Sequence, residues 1–221
     1  MTTTLVTGAN RGIGLELCRK LAARGDEVIA ICRQASEDLA GLTGVRVEAG
    51  IDLTAGDAPA EVVKRLGGRK LDLVVHNAGV LSREGLDALD VDAVRKQFEV
   101  NALAPLRLTA ALAPSIARGG KLVLVTSRMG SLADNGSGGF YGYRMSKAAL
   151  NMAGVSLAHD LRAQGVAVLI VHPGYVKTRM TGHNGDVTPE QSAARIVQRI
   201  DELSLETTGR FVHANGEVLP W

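Results

Sequence analysis

Residues 4–21 read TLVTGANRGIGLELCRKL. Leu5 and Val6 close a short apolar run, Gly8, Gly12 and Gly14 follow, and Ile13, Leu17 and Leu21 recur at helical spacing on one face. A buried strand therefore turns sharply into a helix. Glycines at such a turn admit positive φ and a close approach of backbone to a ligand, while the first N–H groups of the helix have no intrahelical partner. An anion is well placed there. A tight turn with small residues for packing accounts for the same three glycines, so the remainder of the chain has to decide between the two readings.

Outward from this stretch, apolar runs at 27–32 (EVIAIC), 45–50, 71–75, 121–125, 166–171 and 210–213 read as further strands. Helical periodicity covers 60–66 and then 91–118, where Pro105 should kink or divide the helix and Gly119-Gly120 should close it. A long helix is expected over 143–164 and another over 189–203, the latter opened by Thr188-Pro189-Glu190-Gln191, a capping box with Pro at the first helical position. Residues 134–139, DNGSGG, have the composition of a flexible loop. Strands and helices alternate, and the strands are mostly continuous apolar runs. This pattern predicts an α/β fold, a Rossmann-type doubly wound parallel sheet of about seven strands with helices on both faces. Ligands of such sheets bind outside the carboxyl ends of the strands. Gly8 to Gly14, Cys32-Arg33, Asp52, Asn77 to Gly79, Ser127 and Pro173-Gly174 all follow strand ends.

With 221 residues, 46% of them hydrophobic, the chain is expected to form a single domain, 1–221, around one sizeable core. A net charge of +2 without a run of Lys or Arg argues against nucleic acid as a partner and for a small molecule. The first strand begins almost at Met1 and no apolar run reaches membrane-spanning length, so the expectation is a cytoplasmic protein with no membrane partner. Cys18 and Cys32 are expected as free thiols, and no His spacing suggests a metal site.

TGANRGIG at 7–14, HNAG at 76–79, Asn101, Ser127, YRMSK at 143–147 and HPG at 172–174 together resemble the short-chain dehydrogenases/reductases, over essentially the whole chain. Each motif alone is weak, and the ordered set at compatible strand ends is specific. TSRMGS, YRMSKAALN and GRFVHANGEVLPW look most like the branch of small carbonyl reductases that includes the sniffer-type enzymes and the C-factor proteins. The resemblance implies catalysis by Ser127, Tyr143 and Lys147, with Asn101 helping to hold a water that links Lys147 to solvent. It also implies a dinucleotide site formed by Gly8, Asn10, Arg11, Gly12, Ile13, Gly14, Arg33, Asp52, Leu53, Asn77, Ala78, Gly79, Tyr143, Lys147, Pro173, Gly174, Val176 and Thr178. A homodimer through the helix after Tyr143 and the helix holding Asn101 is implied as well.

The residues have a chemical logic of their own. Tyr143 and Lys147, at i and i+4, share one helix face. A phenol with a pKa near ~10 needs roughly 4 kcal/mol of preferential phenolate stabilisation to reach neutrality, and a nearby ammonium has the right sign. Ser127 can hold the substrate oxygen. Asn101 equally suits a buried polar residue relieving the helix near Pro105, and Asn77 a brace for a turn. NAD-specific sites of this architecture carry an acidic residue about 20 positions beyond the glycine turn. Here that position is Cys32, followed by Arg33, with Arg11 inside the turn, so NADP(H) is expected over NAD(H). Both arginines also suit a solvated surface. The expected reaction is hydride transfer between nicotinamide and a small carbonyl or alcohol. A serine hydrolase, for which no G-x-S-x-G elbow is present, and a C-factor-like signalling protein are the rivals. The 127–143 segment is long and the 178–189 segment short for the family, so an unusual pocket wall and an open site are expected.

Overall fold

The computed structural model describes residues 2–221. Among the described residues seven strands, β1 (Thr3–Thr7), β2 (Glu27–Ile31), β3 (Val45–Glu48), β4 (Leu71–His76), β5 (Ile116–Val125), β6 (Ala167–His172) and β7 (Phe211–His213), form one sheet in the order β3-β2-β1-β4-β5-β6-β7. Every adjacent pair is parallel. The helices are α1 (Gly12–Ala23), α2 (Glu37–Ala40), α3 (Ala58–Leu66), α4 (Val91–Phe98), α5 (Ala104–Leu112), α6 (Tyr141–Asp160) and α7 (Pro189–Glu202). This is the expected doubly wound sheet, and its strand order reverses between β1 and β4, where such folds open a crevice.

The continuous apolar runs are explained by burial on both faces. Leu5, Ile29, Val74, Leu124 and Ile170 pack against Val62, Leu66, Leu108, Leu112 and Leu150 from α3, α5 and α6. Their neighbours Val6, Val28, Val75, Val123 and Val171 face the opposite side, against Leu17 and Leu21 of α1 and Ile196 and Ile200 of α7. Alternate residues of each strand thus serve two cores. The Thr188–Gln191 capping box opens α7 as expected, with Gln191 N–H donating to Thr188 Oγ1 at 3.2 Å and Thr188 N–H to Gln191 Oε1 at 2.9 Å.

The helix expected over 91–118 requires correction. It ends as α4, passes through a π turn at Glu99–Leu103, resumes as α5 and stops near Pro114. Pro105 has no N–H to donate to the carbonyl four residues back, that of Asn101, and the ladder widens there. Gly119-Gly120 does not close a helix. β5 already begins at Ile116, opposite Leu71, and the register shifts before Lys121 pairs with Leu73. Gly119, at φ +82°, supplies the left-handed residue of this bulge. The long helix begins at Tyr141, two residues earlier than expected, and gives way to a tight 3₁₀ turn at Arg162–Gln164. The four-residue α2 was not anticipated; its cap, Ser36, accepts from Leu39 N–H at 3.2 Å and donates to Asn10 O at 2.8 Å. Among the described residues no helix is long and apolar enough to cross a membrane.

β4 ends in His76, which is buried and bonded through Nε2 to Thr109 Oγ1 of α5 at 2.8 Å. Burial pushes its pKa from 6.5 down to about 4. The folded chain therefore binds fewer protons than the unfolded one between these values. The contribution of neutral His76 is complete above pH 6.5 and is lost as pH falls toward 4. Unfolding free energy measured by urea titration should drop across that window, with a slope of up to about 1.4 kcal/mol per pH unit from this residue. His76→Asn should make the drop shallower.

Candidate active site

The turn between β1 and α1 rests directly on the chain leaving β4. Gly8 has φ +65°, and a Cβ there would lie 2.8 Å from Ala78 Cα. A Cβ on Gly14 would lie 2.2 Å from Gly8 O and 2.5 Å from Asn77 Nδ2. Asn77 Nδ2 donates to Thr7 O and Gly8 O at 3.1 Å each, and Thr7 Oγ1 accepts from the N–H groups of Asn77 and Ala78 at 3.1 and 3.2 Å. Asn77 is thus a brace for the glycine turn. Arg11, the residue before α1, makes no side-chain cap, so the helix start keeps its N–H groups for another acceptor.

These turns open onto a crevice of about 1130 Å³ along the carboxyl ends of the strands. It gathers Gly8, Asn10, Arg11, Gly12, Ile13, Cys32, Arg33, Asp52, Leu53, Asn77, Ala78, Gly79, Tyr143, Lys147, Pro173 and Thr178. The other expected site residues, Ser127, Asn101, Gly14, Gly174 and Val176, do not line it. Gly14 packs under the turn, Gly174 at φ +92° approaches the His213 ring, and Val176 is buried and bridged to Val187. Asn101 is fully buried in the π turn; its Nδ2 donates to Val80 O at 2.9 Å and Ser146 Oγ at 3.0 Å, and its Oδ1 accepts from Val80 N–H at 2.8 Å. Both amide hydrogens are therefore taken by protein groups. Gln34, Lys96, Lys177, Arg179 and His183 line the crevice without having been anticipated. Lys177 and Arg179 flank Thr178, and that spacing was the available signal. The 178–189 segment does not stand apart from the site: a Cβ on Gly12 would lie 3.5 Å from Thr178 Cγ2.

Tyr143 and Lys147 occupy the inner face of α6, 8% and 4% exposed. The Lys147 ammonium lies 5.8 Å from the centre of the phenol ring and donates to Val125 O at 2.9 Å. Burial brings Lys147 down to about 8 and pushes the Tyr143 phenol above its ordinary value, a hydrogen bond with Ser127 acting in the opposite sense. The protein groups alone therefore do not lower the phenol's pKa as the i, i+4 pairing suggests. Removal from water disfavours the phenolate more than the Ser127 hydroxyl favours it. Ser127, 7% exposed, follows β5 and accepts from Met129 N–H at 3.2 Å. Thr126, which lines the crevice where Ser127 does not, commits its hydroxyl hydrogen to Asn151 Oδ1 at 2.6 Å.

The residues present fit a dinucleotide: a glycine cradle that a side chain would fill, a free helix start, and Arg11 and Arg33 beside Cys32 where a carboxylate would repel a 2′-phosphate. Gly14→Ala should destabilise the chain by about 1–3 kcal/mol through overpacking and weaken dinucleotide affinity. Thermal melts and fluorescence titration of the variant check both effects.

The short chain dehydrogenase family model matches residues 2–188. The chain is 46% identical over 227 residues to a 1-hydroxy-2-glutathionyl-2-methyl-3-butene dehydrogenase of Rhodococcus sp. (strain AD45), covering all of both chains. It is 42% identical over 154 residues to the C-signal protein of Myxococcus xanthus, covering 68% of this chain and 93% of that one. Among solved structures, NADPH-bound carbonyl reductase from chicken fatty liver superposes with a TM-score of 0.90 at 30% identity, covering 100% of this chain and 99% of the other. The glycine turn, the buried Tyr143–Lys147 pair and these similarities agree: the chain belongs to the short-chain dehydrogenase family and is an oxidoreductase.

Proposed function

We propose that this chain uses NADP(H) to interconvert a small carbonyl compound and its alcohol, with Tyr143 as the acid–base group. The observation that carries this reading is the burial of Tyr143 and Lys147 on one face of α6, at the crevice onto which the glycine turn opens. The start of α1 and the turn at Gly8 and Gly12 hold the pyrophosphate, and Arg11 and Arg33 bind the 2′-phosphate by charge-assisted hydrogen bonds. The bound dinucleotide supplies or accepts the hydride. Burial keeps the proton on Tyr143 Oη, the form that donates to a carbonyl oxygen in reduction, while Ser127 orients that oxygen. Lys147 binds ribose and biases the phenol toward giving up its proton. Asn101 holds Val80 and so the backbone at Gly79, where a Cβ would lie 3.7 Å from Lys147 Nζ.

The full-length likeness to the Rhodococcus enzyme supports a finer reading of the substrate. An alcohol or aldehyde carrying a peptide thioether conjugate has carboxylates that Lys177 and Arg179, both exposed at the crevice, are placed to meet. The C-signal likeness supports a signalling alternative, but the complete Ser127, Tyr143 and Lys147 set favours catalysis. We also propose a homodimer in the cytoplasm. Leu103, Leu106, Met145 and Met152 are exposed on the helices that the family resemblance places at the interface, beside the small residues Ala148, Ala149, Ala153 and Ser156, and two buried free thiols suit a reducing compartment.

With a panel of aldehydes, ketones, quinones and glutathione-conjugated allylic alcohols, Tyr143→Phe should retain dinucleotide affinity and lose at least ~10² in turnover. Near-normal turnover in this variant would remove Tyr143 from the mechanism. Wild type should prefer NADPH to NADH in kcat/KM by at least about tenfold, and Arg33→Ala and Cys32→Asp should both shrink that ratio. Equal use of the two cofactors by wild type would show that Arg11 and Arg33 do not read the phosphate.

A further inference from the structure

The family match ends at residue 188, yet the last eleven residues are bonded to the turn that carries Ser127. β7 continues into a hairpin: His213 N–H donates to Glu217 O at 2.8 Å, Leu219 N–H donates to Phe211 O at 2.9 Å, and Val212 bridges Val218. Trp221 stacks on Phe211 with ring centres 5.3 Å apart, and its carbonyl accepts from Ala133 N–H at 2.9 Å. Arg128, the residue after Ser127, reaches across the gap. Its Nε lies 2.8 Å from Asp134 Oδ2, and its Nη2 donates to Glu217 Oε1 at 2.8 Å.

On its other side the turn sits on α6. A Cβ on Gly130 would lie 2.7 Å from the Lys147 carbonyl carbon. The turn after Ser127 is thus held between α6, which Gly130 touches with no room for a side chain, and a tail that grips Arg128. An isolated exposed ion pair contributes little. Here one guanidinium spans two carboxylates, one of them 89 positions away in sequence, and a backbone hydrogen bond joins the same two segments. The Nη2 arm to Glu217 is a directed hydrogen bond, and the Nε arm to Asp134 is an ion pair without that alignment.

We propose that Arg128 is a positioning residue: by clasping Asp134 and Glu217 it ties the C-terminal hairpin to the turn after β5 and holds the Ser127 hydroxyl at Tyr143. This rests on the reading that Ser127 and Tyr143 handle the substrate oxygen. A double-mutant cycle separates positioning from general stability, because residues acting through one another give non-additive effects.

Turnover with NADPH and the best carbonyl substrate of the panel, NADPH affinity and melting temperature are measured for Arg128→Ala, Ser127→Ala, the double variant and Glu217→Gln. Arg128→Ala should lower kcat about tenfold with NADPH affinity unchanged, and the same substitution in the Ser127→Ala background should cost less than about twofold. Glu217→Gln should lower kcat in the same direction, by about threefold, and should likewise be nearly silent once Ser127 is gone; this second cycle decides the matter if Arg128→Ala does not fold. Equal losses in both backgrounds, or no loss while Ser127→Ala is impaired, would overturn the proposal. Full turnover in Ser127→Ala, or no turnover of any carbonyl by wild type, would instead overturn the reading beneath it.

Discussion

The site depends on one backbone contact, between the turn that leaves β1 and the turn that leaves β4. Gly8 and Ala78 approach so closely that a Cβ on Gly8 would stand 2.8 Å from Ala78 Cα, and Gly14 is packed against Gly8 O. Asn77 and Thr7 satisfy the polar backbone groups that this approach buries. The contact falls where the strand order reverses, so it joins the two halves of the sheet and aims the free N-terminus of α1 at the crevice. A side chain at either glycine would separate the strand ends and misdirect the helix.

Burial governs the chemistry that this arrangement permits. Lys147 is brought down to about 8, His172 to about 3 and the Tyr143 phenol upward, each toward its neutral form. A charge entering such surroundings is felt more strongly than in water, because little solvent is present to screen it. The protein therefore holds a protonated phenol and leaves the balance of its ionisation to the charge of what binds beside it. The same burial explains why Lys147 donates to Val125 O: an ammonium withdrawn from water requires an acceptor.

The parts of the site that were legible in the sequence were those encoded within a few residues. The glycine turn, the strand ends and the i, i+4 placement of Tyr143 and Lys147 follow from local composition and periodicity. Cys32 and Arg33 were legible because the end of β2 has only one place to go, past the glycine turn. The Gly119-Gly120 pair misled because two glycines end a helix or bulge a strand equally well, and only pairing with β4 selects the bulge. The four-residue α2 offers too little periodicity to be recognised, although its cap on Asn10 O steadies the glycine turn. Lys177 and Arg179 sat in plain view beside Thr178, but solvated cations look the same in a sequence whether or not a crevice lies beneath them.

By itself the sequence determined the strand and helix alternation, the parallel sheet and the identity of the groups at the strand ends, because hydrophobic period and glycine placement are local properties. Tertiary structure alone decided that the Asn101 side chain is spent on Val80 and Ser146, that the Tyr143 phenol is pushed up rather than down, and that Arg128 grips Glu217 from the far end of the chain. Each of these depends on what surrounds a side chain in three dimensions: which acceptors are near, and how much water is left. Segments far apart in sequence meet there only once the sheet has closed over its two cores.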